Sequence, residues 1–178
     1  MKKYLQKALA LGFTEAKYLA DLSLVCKAEL RAYCQHEYCL LYGQNWVCPP
    51  ACGTLAECAG KVREFDRGIL LQSVSIVEAR VTAESYRLIN REHNFRLKQL
   101  IEFIKADHVR ILPLTSGGCV FCEQCSYPEA CIKPELRMES LSAYGIDVGE
   151  LCETAGLTYS FCEDRLYFMA LLLIKESR

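Results

Sequence analysis

Long apolar runs are missing from this chain. A membrane-spanning helix needs about 18 to 20 consecutive apolar residues, and the longest candidate, Leu166 to Ile174, has only the length of a strand. A secretory leader is missing as well. Two lysines near the N-terminus precede a short apolar run, but Gln6 and Lys7 interrupt it and no small-residue cleavage site follows. These two absences predict a soluble, cytoplasmic protein. Charge of either sign is not in excess: 21 basic against 22 acidic residues give a formal net charge of -1. That balance removes the electrostatic reason to expect nucleic acid or an anionic membrane as partner. There is no P-loop, no Rossmann glycine fingerprint and no nucleophile–base pair to mark a familiar catalytic site. Internal repeats and low-complexity linkers are missing too, so residues 1–178 read as a single cysteine-rich domain.

What is present in abundance is cysteine, 12 in 178 residues. In a secreted chain such a count suggests disulfides. In a reducing compartment, clustered thiols more often bind metal or carry redox chemistry. The cysteines fall into two groups, Cys34, Cys39, Cys48, Cys52 and Cys58, and then Cys119, Cys122, Cys125 and Cys131, with none from Ala59 to Gly118. Cys26, Cys152 and Cys162 stand apart and read as small buried hydrophobes.

The stretch between the groups reads as ordinary α/β structure. Residues 68–77 (GILLQSVSIV) have strand composition. Thr82 caps a helix running to about Ala106, on which Tyr86, Ile89, His93, Leu97, Leu100 and Ile104 share one face. His93, on that face, reads as a hydrogen-bonded core residue. Residues 109–114 (VRILPL) read as a second strand, which would make the passage a crossover unit joining parallel strands. A helix over residues 1–10, a strand over 15–22 and a helix over 24–33 are expected before it. After it come short helices over 138–144 and 148–155, then two strands, 157–161 and 166–174, joined as a hairpin. The fold expected is α/β or α+β, with a mixed sheet of four to five strands, flanking helices, and cysteine-rich loops forming metal sites.

The second group reads CVFCEQCSYPEAC, or C-x2-C-x2-C-x5-C. Three cysteines at three-residue steps turn successive sulfurs inward, and a fourth closes the cage. The first half matches the opening of the bacterial ferredoxin run; the ferredoxin pattern continues x3-C-P, whereas here the spacing is x5. Gly117 and Gly118 just before it let backbone amides approach sulfur. Zinc is the chemical rival, since four thiolates also make a tetrahedral structural site, although such sites more often use two C-x2-C pairs. The first group is looser: C-x4-C-x8-C-x9-C through Cys34, Cys39, Cys48 and Cys58, with Cys52 as an alternative ligand. Pro49 and Pro50 stiffen the chain beside Cys48, and Tyr38, Tyr42 and Trp46 are candidates to exclude water. His36 reads as an exposed loop residue, and Glu123, Glu129 and Glu135 as solvated carboxylates.

Cys34, Cys39, Tyr42-Gly43, Asn45-Trp46, Cys48-Pro49-Pro50 and Gly53-Thr54-Leu55-Ala56-Glu57-Cys58 together resemble the DUF2284 family of predicted metal-binding proteins. The match extends through Gly117-Gly118-Cys119, Cys122, Cys125, Tyr127-Pro128, Cys131, Pro134-Glu135, Ser140 and Ala143-Tyr144-Gly145. The resemblance implies a bacterial or archaeal cytoplasmic protein. It favours Cys58 over Cys52 as the fourth ligand of the first group, while Cys52 stands where the family pattern has an ordinary residue. The expected cofactor is one or two [4Fe–4S] clusters, with zinc as the alternative, and the expected role is electron transfer with a redox partner protein. A zinc-stabilised binding module without redox activity is the second reading.

Overall fold

The computed structural model describes residues 1–20, 22–35, 37, 39–77, 81–160 and 164–175. It contains five helices, α1 (Lys2–Ala10), α2 (Ala28–Ala32), α3 (Leu55–Val62), α4 (Ala83–Lys105) and α5 (Val148–Thr154), and five strands, β1 (Glu15–Leu19), β2 (Arg67–Ile76), β3 (Arg110–Thr115), β4 (Glu139–Ser140) and β5 (Arg165–Lys175). The strands form one mixed sheet in the order β1-β2-β5-β3-β4, in which only the β3–β4 pair is parallel. The architecture is α+β.

β5 is the centre of the sheet, and its sequence explains why. Phe168 to Ile174 is unbroken apolar residues, the pattern of a strand covered on both faces. Ala170, Leu172 and Ile174 face the side packed by α1 and α4, with Leu97, Leu100 and Ile104. Met169, Leu171 and Leu173 face the other side, with Cys58 and Val62 of α3, Leu151 of α5, and Tyr144. Alternation along one strand thus feeds two cores. Among the described residues no helix is long and apolar enough to cross a membrane.

β2 and β3 flank α4 in sequence, and both pair antiparallel with β5. They therefore run in the same direction, but β5 is inserted between them. The expected crossover unit is present as a split one, because the most apolar strand of the chain takes the doubly buried central position. The expected hairpin is corrected. Residues 157–160 form no strand: the Leu157 amide closes the end of α5 on Cys152 O at 2.8 Å, and Gln72 Nε2 donates to Thr158 O at 2.8 Å. Residues 161–163 lie outside those described. The helix expected over 24–33 shrinks to α2, because the Lys27 amide bonds to Gly145 O at 2.8 Å instead of to its own turn. Residues 138–144 are not one helix either. β4 pairs with β3, and only Ser142–Tyr144 form a tight 3₁₀ turn.

α4 begins as its sequence predicts. The Thr82 hydroxyl accepts from the Ser85 amide at 3.1 Å, and the Ser85 hydroxyl accepts from the Thr82 amide at 3.0 Å. Its buried face holds Asn90, His93, Asn94, Leu97, Leu100, Ile101 and Ile104, whereas Tyr86 lies outside at 40% exposure. His93 is buried at the core, 2.9 Å from the Ser73 hydroxyl through Nδ1, between the rings of Phe13 and Phe168. Burial, and then the positive charge of Arg96, holds its pKa down to about 3. The folded chain thus refuses a proton that the unfolded chain accepts below about pH 6.5. The stability linked to His93 is complete above that pH and falls as pH drops towards 3, by up to ~1.4 kcal/mol per pH unit. Denaturant unfolding at pH 6.5 and pH 5 should show this loss, and His93→Gln should flatten it. An unchanged slope in the variant would assign the acid sensitivity elsewhere.

Candidate metal centre

The second cysteine loop is launched from the end of β3. There the Ser116 amide donates to Met169 O at 2.8 Å and its hydroxyl accepts from the Met169 amide at 3.0 Å, pinning the turn to the central strand. Gly117 follows with φ +81, and Gly118 lies against Leu41 so closely that a Cβ would overlap that side chain. A side chain at Gly118 would press on the first cysteine loop, whereas one at Gly117 would meet Asn90 of α4. Beyond them Cys119, Cys122, Cys125 and Cys131 line one small cavity with Trp46, Lys133 and Arg137. Lys133 Nζ donates to Phe121 O at 2.9 Å and the Ser126 hydroxyl to Ala130 O at 2.8 Å, which close the loop on itself. Burial pushes the Cys119 thiol up; the Phe121 amide opposes this, and the neighbouring sulfurs of Cys122, Cys125 and Cys131 reinforce it.

The first cysteine loop is a chain of tight turns. The Cys34 amide bonds to Arg31 O at 2.9 Å, the Cys39 amide to Gln35 O at 3.0 Å, and the Cys48 amide to Asn45 O at 3.1 Å. Buried Asn45 accepts from the Val47 amide through Oδ1 at 3.2 Å, a turn in which an asparagine side chain stands in for backbone. The Pro49–Pro50 and Tyr127–Pro128 peptide bonds, one in each loop, are cis.

Cys48 is where the two loops meet. Its thiol is pushed up to about 12 by burial and then by like charge on Cys39, Cys34, Cys119 and Cys125, so sulfurs of both groups lie within electrostatic range of it. Trp46, two residues earlier, seals the junction: its indole N–H donates to Glu129 O at 2.9 Å, and its ring meets Tyr127 edge-on at 5.1 Å. Trp46 belongs to the first motif in sequence, yet it lines the cavity of the second.

Cys58 is held differently. It sits on α3, whose start is fixed by a capping box between Thr54 and Glu57. The Arg31 guanidinium donates to Cys58 Sγ at 3.5 Å, to Ala143 O at 2.6 Å and to Gly53 O. Cys52 lies alongside. A hydrogen bond from Cys52, and then Arg31, favours the thiolate of Cys58, while the same bond and burial keep Cys52 protonated. Cys26, Glu139 and Tyr144 stand close enough to influence this pair. Among the described residues, Glu139 Oε2 and the Tyr144 hydroxyl are buried polar atoms with no hydrogen-bond partner. Cys58 thus faces Cys52 and Arg31, and Cys34, Cys39 and Cys48 face one another and the second group.

Among the described residues no three His, Cys, Asp or Glu side chains converge at the spacing of a single-ion cage. The sulfurs are instead gathered at electrostatic range, and burial first, then neighbouring like charge, opposes ionisation of Cys34, Cys48 and Cys119. That donor set fits a cationic centre, which would relieve the repulsion and hold the sulfurs as thiolates. The described cysteines form no disulfide. Cys152 is buried in the core, as expected, and Glu123, Glu129 and Glu135 are exposed. His36, Tyr38 and Cys162 lie outside the described residues. Arg31, Glu139 and Tyr144 were not legible as site residues, because nothing in their sequence spacing marks a cation at a sulfur or a buried orphan hydroxyl.

Fold and thiols together define a cysteine-rich α+β protein of metal-binding type. The model of the DUF2284 family, described as predicted metal-binding protein, matches residues 17–174, and the chain belongs to that family. Comparison with curated proteins and with solved structures finds no match.

Proposed function

We propose that this is a cytoplasmic iron–sulfur protein with an electron-transfer or redox-accessory role, carrying one or two [4Fe–4S] clusters and serving a redox partner protein. The observation that carries this reading is the contact between the two cysteine loops: Trp46 of the first lines the cavity of the second and donates to Glu129 O at 2.9 Å. Two separate structural staples have no need to touch, whereas electron exchange falls off with distance and benefits from adjacency. In this reading Cys119, Cys122, Cys125 and Cys131 hold one centre. Cys34, Cys39 and Cys48 hold the other; Cys58, the fourth ligand that the family resemblance favours, faces Cys52 and Arg31 and would have to turn from them to join these three. When bound, such a group supplies one-electron chemistry at a potential set by hydrogen bonds to sulfur and by solvent access. The chain's own residues govern both. Arg31 places positive charge at Cys58, Trp46 and Tyr127 close the junction to water, and the Gly117–Gly118 turn brings the two loops together.

The visible spectrum of protein prepared without oxygen tests the proposal. A brown chromophore that dithionite bleaches is expected. A colourless, air-stable protein holding zinc would replace this reading with that of a zinc-stabilised binding module.

A further inference from the structure

One large cleft lies outside the thiol cavity and shares a wall with it. About 900 Å³ in volume, it runs between the first half of α4 and the loop carrying Cys122. Phe121, Cys122 and Lys133 line both spaces. Pockets for small organic ligands are commonly roughly 300 to 1,000 Å³; this cleft is open, and its lining is about equally polar and apolar. Leu88, Val120 and Ile132 supply the apolar surface here, with Leu88 and Ile132 60% and 68% exposed, over the buried Phe121.

Three cations converge on this surface: Arg87, Arg91 and Lys133. Arg87 and Arg91 are one turn apart on α4 and so point the same way. Each cation is exposed and has one partner in the fold. Arg87 donates to Glu123 O at 3.2 Å, Lys133 donates to Phe121 O at 2.9 Å, and Arg91 lies over the Phe95 ring at 5.5 Å. Fixed guanidinium forks are suited to phosphate or carboxylate. Glu84 and Glu123 also line the cleft, leaving positive charge in excess there in a chain whose net charge is -1.

We propose that this cleft binds a planar organic anion of flavin mononucleotide size, its ring on the Leu88–Val120–Ile132 surface and its anionic group on Arg87 and Arg91. Such a molecule lies one loop away from the Cys119–Cys131 thiols. Its use as an electron-exchange partner rests on the proposed function; its binding does not.

The test is a titration of the full-length protein with flavin mononucleotide at low ionic strength, read by flavin fluorescence. Saturable quenching is expected. Riboflavin, with the same ring and no phosphate, should bind about tenfold more weakly or worse, since a charge-assisted hydrogen bond contributes about 1.5 to 3 kcal/mol. Arg87→Glu with Arg91→Glu should weaken flavin mononucleotide by at least about tenfold, with the unfolding midpoint and metal content unchanged. Absence of saturable binding, equal affinity for the two flavins, or undiminished affinity in this variant would overturn the proposal. Because the readout is binding, it fails or succeeds whichever metal the thiols hold.

Discussion

Serine in place of Cys125 should remove about half of the iron from a chain holding two four-iron centres, while leaving the fold in place. Cys125 lies in the half-buried second loop, lines the thiol cavity, and is one of the four sulfurs whose charge reaches Cys48. It packs in neither core cluster. The loss should therefore appear in metal content and spectrum, with little change in the unfolding midpoint. Cys152→Ser provides the contrast. Cys152 is buried beside Leu151 in the second core, and burial alone pushes its thiol up to about 11. A serine hydroxyl there is a buried polar group, costing about 1 to 3 kcal/mol when unpaired, and iron content should not change. If Cys125→Ser kept full iron and Cys152→Ser lost it, the division into ligand and core cysteines would be wrong.

Alanine in place of Gly145 should destabilise the protein by about 2 to 5 kcal/mol. The range combines about 1 to 2 kcal/mol for placing a side chain in the left-handed region with about 1 to 3 kcal/mol for overpacking. Gly145 has φ +65, and a Cβ there would meet the backbone of Lys27, 2.9 Å from its nitrogen and 3.1 Å from its carbonyl carbon. Backbone cannot swing aside as a flexible side chain can. The junction also carries the Lys27 amide bond to Gly145 O, and ion pairs from Lys27 to Asp147 at 3.1 Å and Glu150 at 2.8 Å. It ties the start of α2, and hence Arg31 and Cys34, to the segment bearing Ala143 and Tyr144. Denaturant unfolding reads the loss directly. Gly60→Ala is the control: Gly60 lies on α3, and a Cβ there meets nothing within 4 Å. It should be neutral or slightly stabilising.

The sheet was legible where composition and burial agree. Residues 67–76 and 165–175 are apolar enough to read as strands without partners, and Thr82 and the α4 periodicity locate the long helix to within a residue. Strand order was not legible, because it depends on which strand takes the doubly covered centre, a matter of competition among distant segments. α3 was missed inside a region read as irregular loop, although Thr54-x-x-Glu57 is the sequence form of the capping box it uses. The cysteine spacings singled out two groups of sulfurs. They did not show that Trp46 crosses to the second loop or that Arg31 reaches Cys58, since each depends on a contact between segments far apart in sequence.

Iron, zinc and acid-labile sulfide per chain, measured on full-length protein purified without oxygen, test the central claim most directly. Two [4Fe–4S] centres predict about eight iron and eight sulfide, and one centre about four of each, with zinc near zero. Zinc bound with no sulfide, or neither metal present, would contradict the iron–sulfur account.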